Sequence, residues 1–149
     1  MEKLTAFFEN FDLTKFVPQM DKLLGSALWI TKAAVLAGPA VMLVFGLWYL
    51  LVPPKEANYG AGFRTWFGMG SVQAWRTTQK IAGYVWGGCG LVLLVVMWLI
   101  SRNFSGVDMM QAASTAFTCL IWQAGVALVT YLGISITAAI LFDSRGQRR

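Results

Sequence analysis

Three apolar runs of membrane length, at 27–52, 81–100 and 117–142, divide the chain, and polar stretches separate them. A bilayer core takes about 20 consecutive apolar residues in a helix, so each run predicts a transmembrane span. In the first run Lys32, near its start, is the one charge. Trp29 marks one end and Trp48 and Tyr49 the other, as interfacial aromatic belts do. Gly38-Pro39 lies inside it, and the missing proline N–H predicts a kink. Pro53-Pro54 stops the helix.

The second run is almost purely aliphatic over 91–100 and opens with Gly83 and Gly87 at small-xxx-small spacing, with Gly88 and Gly90 beside them. Small residues let two backbones approach closely in lipid, either within one chain or between copies. A short polar turn, 101–111, leads to a third helix beginning near Val107 or Asp108. In the third run Gln123, Thr130 and Thr137 recur every seven residues and share one face. Such a stripe lines a path or a ligand groove, or it hydrogen-bonds a neighbouring helix at about 0.6 kcal/mol per contact. The tail, 143–149, is basic and predicted to be mobile.

Ahead of the first run, Leu4, Phe7, Phe8 and Phe11 follow the spacing of one helix face, and Leu13, Phe16, Val17, Met20, Leu23 and Leu24 form a second short pattern. Pro18 fits the start of that second helix better than its interior. The segment lies on the membrane as an interfacial amphipathic helix, or it packs on a partner subunit. The first long run starts too late and is too long for a secretory signal. The expectation is therefore an all-α integral membrane protein, with three transmembrane helices preceded by an N-terminal amphipathic interfacial helical segment. Residues 1–26 form that segment, 27–149 form the membrane domain, and 53–80 form the first loop.

Composition sharpens this. Charged residues are 13 % of the chain, against roughly 25 % in soluble domains, so the apolar surface needs a bilayer. The net charge of +5 suits anionic headgroups beside apolar spans and does not call for nucleic acid. Histidine is absent, which removes the commonest general base and metal ligand. Cys89 and Cys119 fall inside apolar runs, where neither a disulfide framework nor a thiol metal site is expected. Gly60-x-Gly62 lacks the Lys-Ser/Thr of a phosphate loop. The run interiors hold no ionisable group of the kind that proton- or ion-coupled transport uses. Catalysis, metal, cofactor and nucleic acid are all left without support.

Orientation follows from the cations. With three spans, Lys3, Lys15, Lys22, Lys32 and Arg102 share one side of the membrane. Lys55, Arg64, Arg76, Lys80, Arg145, Arg148 and Arg149 share the other. The second group lies close to the span ends, so the positive-inside rule predicts a multi-pass cell-membrane protein with the 53–80 loop and the C-terminus in the cytoplasm.

The polar residues between the first two runs are densest at 59–83. Tyr59-Gly60-Ala61-Gly62 reads as a turn. Arg64 follows, with Phe63, Trp66 and Phe67 around it. Ser71 is placed to cap a helix, although Ala74 leaves the capping box incomplete. Ser71, Trp75 and Gln79 repeat at four-residue spacing on one face of that helix, with Arg76 and Lys80 on the next. Arg64 either meets lipid phosphate and backbone carbonyls or contacts a peptide or partner. Trp66 and Trp75 either anchor at the interface or join that contact.

At Gly62-Phe63-Arg64-Thr65, Met69, Ser71, Trp75, Gln79 and Gly83 the chain resembles the SdpI family of small bacterial membrane proteins. The resemblance covers roughly 40–100, and the third span is compatible with it. Trp66 stands where that family often has proline, and Gly68 departs in the region of its turn threonine. The resemblance implies immunity to a secreted antimicrobial peptide, and signalling through a transcription repressor held at the membrane. Two functions stay open. One is a receptor or immunity protein that binds a toxin peptide or a cytoplasmic regulator through Gly62, Phe63, Arg64, Thr65, Ser71, Trp75 and Gln79. The other is an accessory subunit of a larger membrane assembly or homo-oligomer, docking through Gly83, Gly87, Gln123, Thr130 and Thr137.

Overall fold

The computed structural model describes residues 13–55, 57 and 60–149. Three long helices carry the chain: α1 at Leu13–Leu51, α2 at Val72–Arg102 and α3 at Met109–Leu141. A short 3-10 helix, Asn103–Gly106, joins α2 to α3. Each long helix contains a stretch long and apolar enough to cross a membrane. The predicted runs lie on these helices, with Val52 and Phe142 just past their ends.

Local chemistry sets the helix starts. Ser71 is extended at φ −152° and ψ 162°, and its Oγ accepts a hydrogen bond from the Ala74 N–H at 3.1 Å. Asp108 does the same for α3, accepting from the Met110 N–H at 3.2 Å. Each side chain satisfies a donor that the first helical turn leaves without a backbone partner. The turn between α2 and α3 is shorter than the predicted 101–111, because α2 continues through Arg102 and α3 is already helical at Met109. Helix α1 runs unbroken across the predicted boundary at 26/27, and Pro18 lies within it. The amphipathic pattern at 4–11 lies outside the described residues, as do the side chains of 13–24.

The closest packing is between α1 and α2, and glycines make it possible. A Cβ on Gly46 would collide with the backbone of Gly87. One on Gly90 would come within 2.6 Å of the Leu43 nitrogen, and one on Gly83 within 2.6 Å of Leu50 Cγ. Gly83, Gly87 and Gly90 therefore face α1 of the same chain, and Gly46 is the partner that the spacing within the second run does not reveal. Close backbone approach matters here because helices in lipid gain dispersion contacts and little hydrophobic driving force from one another.

Helix α3 joins through a different device. Pro39 has no N–H, so the carbonyl four residues earlier, that of Val35, loses its helical partner. Gln123 of α3 supplies one: its Nε2 donates to the Val35 oxygen at 2.8 Å. Gly38 leaves the room, since a Cβ there would run into the Gln123 side-chain oxygen. The predicted polar stripe thus divides. Gln123 crosses to α1, whereas the Thr130 hydroxyl donates to Val126 and Ala127 and that of Thr137 to Gly133, all on α3 itself.

The tail departs from the expectation by being folded against the protein. The Asp143 carboxylate accepts from the N–H groups of Arg145 and Gln147, and Phe142 pairs with Arg148 in an isolated antiparallel bridge. Gly146 has φ +72° and lies flat against Gly70 and Ser71. Ser71 Oγ donates to the Gly146 carbonyl at 2.7 Å, tying the tail to the start of α2. The basic composition of 143–149 hid a turn built from one aspartate and one left-handed glycine.

Candidate functional site

The loop between α1 and α2 is held from within. Gln79, fully buried on α2, meets Phe63 with both ends of its amide: Oε1 accepts from the Phe63 N–H at 2.8 Å and Nε2 donates to the Phe63 carbonyl at 2.8 Å. The side chain thus acts as a short strand partner for a stretch of loop that would otherwise bury two unpaired backbone groups. One turn earlier, the Trp75 indole N–H donates to the Pro54 carbonyl at 2.8 Å. Gly62 lies over that indole at φ +107°; a Cβ there would sit 2.5 Å from the ring, so the position excludes a side chain on two counts.

These bonds drive the Phe63 ring between all three helices. Its centroid is 6.3 Å from Tyr49 of α1, 5.5 Å from Trp86 of α2 and 5.4 Å from Tyr131 of α3. The Tyr49 and Trp86 contacts are edge-on or tilted, a geometry that suits ring quadrupoles. Thr65 then closes the turn: its Oγ1 accepts from the Gly68 N–H at 3.0 Å, and its carbonyl accepts from the Met69 N–H at 3.1 Å. Gly68 fits beneath because a Cβ would press on the Thr65 and Thr78 hydroxyls.

The seven motif residues come together but face different ways. Phe63, Thr65, Trp75 and Gln79 are buried, and Gly62 and Ser71 are half-buried. Arg64 alone among them is exposed. Beside it Trp66 is 81 % exposed. Arg76 and Lys80 also face outward and, with Val72, Gln73 and Thr77, line an open groove of about 360 Å³. The outer surface at this end is therefore cationic with one indole, and the motif's remaining residues form the frame beneath it. Tyr49, Trp86 and Tyr131, the three walls around Phe63, are absent from the sequence-derived site. Tyr49 carried a signal as a belt residue, whereas Tyr131 sits far along the chain with nothing local to mark it.

Among the described residues no group of Cys, Asp and Glu is arranged to hold a metal ion, and both Cys89 and Cys119 are free thiols. Tyr59 lies outside the described residues.

The model of the SdpI/YfhL protein family matches residues 55–142. Comparison with curated proteins and with solved structures returns no match. The matched region takes in the clamp, α2 and α3, reaching further along the chain than the 40–100 resemblance and leaving α1 outside it. Because the match extends over more than half of the chain and includes the Gly62-to-Gln79 frame just described, the protein belongs to the SdpI/YfhL family.

Proposed function

We propose that this multi-pass membrane protein acts in immunity and signalling of the SdpI type, docking a peptide or a cytoplasmic regulator on the outer face of its motif loop. One observation carries the reading: Arg64 points outward from a loop whose neighbouring residues are locked by Gln79 and Trp75. The backbone beside Arg64 and Trp66 is ordered before binding, which confines the ordering cost to their side chains, and these two residue types dominate binding hot spots. The cationic groove of Arg76 and Lys80 extends the same end of the molecule.

The positive-inside count favours a cytoplasmic position for this end. A regulator with an acidic contact surface then fits better than a peptide arriving from outside. Catalysis has no place in this reading.

The test is a capture experiment in mild detergent from the native host. Wild type is compared with Arg64→Ala and Trp66→Ala, and bound proteins are read by mass spectrometry. A regulator or peptide held by wild type and lost from both variants supports loop recognition. A stoichiometric membrane partner held equally by all three would sink it and favour an accessory-subunit role.

A further inference from the structure

At the opposite end from the motif loop, α1 and α2 frame two adjoining cavities that share Leu36 and Trp98. The outer one, about 400 Å³, is walled by Trp29, Lys32, Trp98 and Arg102. The inner one, about 260 Å³, is lined by Leu36, Leu94, Val95 and Trp98 and by no polar side chain. Together they form a groove with a cationic, aromatic mouth and an aliphatic floor.

Both cations are held in place at the mouth. The Lys32 ammonium donates to Ser105 Oγ at 2.6 Å, which uses one of its three donors. The Arg102 guanidinium carbon lies 5.1 Å from the centroid of the Trp98 ring, a cation–π contact that holds the charge at the mouth. A fixed guanidinium beside a fixed ammonium suits a phosphate diester, which the first can grip by two oxygens and the second as a point charge. The exposed indoles of Trp29 and Trp98 belong at headgroup depth. From Trp98 the aliphatic floor runs toward the middle of the span, where acyl chains lie.

We propose that this groove binds one anionic phospholipid, its phosphate between Lys32 and Arg102 and an acyl chain along Leu36, Leu94 and Val95. Charge complementarity sets the sign of the head, and the apolar floor sets the need for a tail. Free phosphate would leave that floor without a role. The site is independent of the loop face and stands or falls separately from it.

The full-length protein in mild detergent is titrated with phosphatidylglycerol and, separately, phosphatidylcholine, and lipid adducts are read by native mass spectrometry. Phosphatidylglycerol is expected to bind at least tenfold more tightly. Lys32→Gln with Arg102→Gln should remove that preference, and Val95→Trp, which fills the floor, should weaken both lipids. Arg76→Gln with Lys80→Gln, at the other end, serves as the charge-matched control and should leave the preference intact. Equal affinity for the two lipids in wild type would overturn the proposal. So would a preference that survives the Lys32 and Arg102 changes, whether or not the control keeps it. Displacement of the lipid by millimolar inorganic phosphate alone would overturn the acyl-chain assignment.

Discussion

Gln79 grips Phe63 by both of its backbone polar groups, at 2.8 Å each, across sixteen residues of sequence. The bond pair is buried, so it has no water to fall back on. Gln79→Leu keeps the volume but strands one N–H and one carbonyl. A loss of about 2–4 kcal/mol is expected, from two buried groups left unpaired at about 1–3 kcal/mol each with some relaxation. Thermal unfolding in mild detergent measures it; a change under 0.5 kcal/mol would show that the loop does not depend on this clamp.

Trp75 serves the same loop by a weaker tie. Trp75→Phe removes the indole N–H from the Pro54 carbonyl while keeping most of the packing. A cost of about 1–2 kcal/mol is expected. Because Arg64 is already exposed, loosening the loop should speed tryptic cleavage after it. Equal cleavage rates in wild type and variant would count against a restraining role for the indole.

The glycines should separate by sign. Gly46→Ala forces a methyl into the Gly87 backbone and should destabilise the helix pair by about 1–3 kcal/mol. Gly125→Ala and Gly133→Ala meet open space, and a helix gains about 0.5–1 kcal/mol from alanine over glycine. Gly87→Ala meets only ordinary contacts at 3.9 Å and should fall between. Unfolding midpoints of the four variants test the order, and a Gly46→Ala protein as stable as wild type would refute the assigned contact.

Pro39 and Gln123 should be coupled. Gln123→Leu alone leaves the Val35 carbonyl unpaired in the bilayer, at a cost of about 0.6 kcal/mol and at most about 1.7. Pro39→Ala restores an N–H to that carbonyl. In the Pro39→Ala background, Gln123→Leu should therefore cost less, and a double-mutant cycle reads the difference. Additive costs would mean that Gln123 does not substitute for the missing amide.

Much of the scaffold was legible because its causes are local. Apolar length marks a span wherever it occurs, Ser71 and Asp108 cap helices by chemistry within three residues, and Pro53-Pro54 ends one by the ring it carries. The four-residue spacing puts Trp75 and Gln79 on one face of α2, with Ser71 just ahead of the helix as its cap. It could not show that the face turns inward, because the partners are backbone atoms of Phe63 and Pro54 on a distant segment. A glutamine that braces a loop and one that meets a ligand look the same in one dimension. The tail's turn is hidden for a related reason: its charges dominate its composition, while its shape depends on Asp143, Gly146 and a contact with Ser71.

The bond from Gln123 to Val35 also spans 88 residues of sequence, which gives it a place in time. A ribosome adds about 5–20 residues per second, so roughly ten seconds separate the arrival of the carbonyl from that of the side chain that satisfies it. For that interval the first helix waits with an open acceptor facing whatever surrounds it in the insertion machinery. The third helix is thus the step that completes the first, and a chain truncated before Gln123 leaves the Val35 carbonyl without that partner.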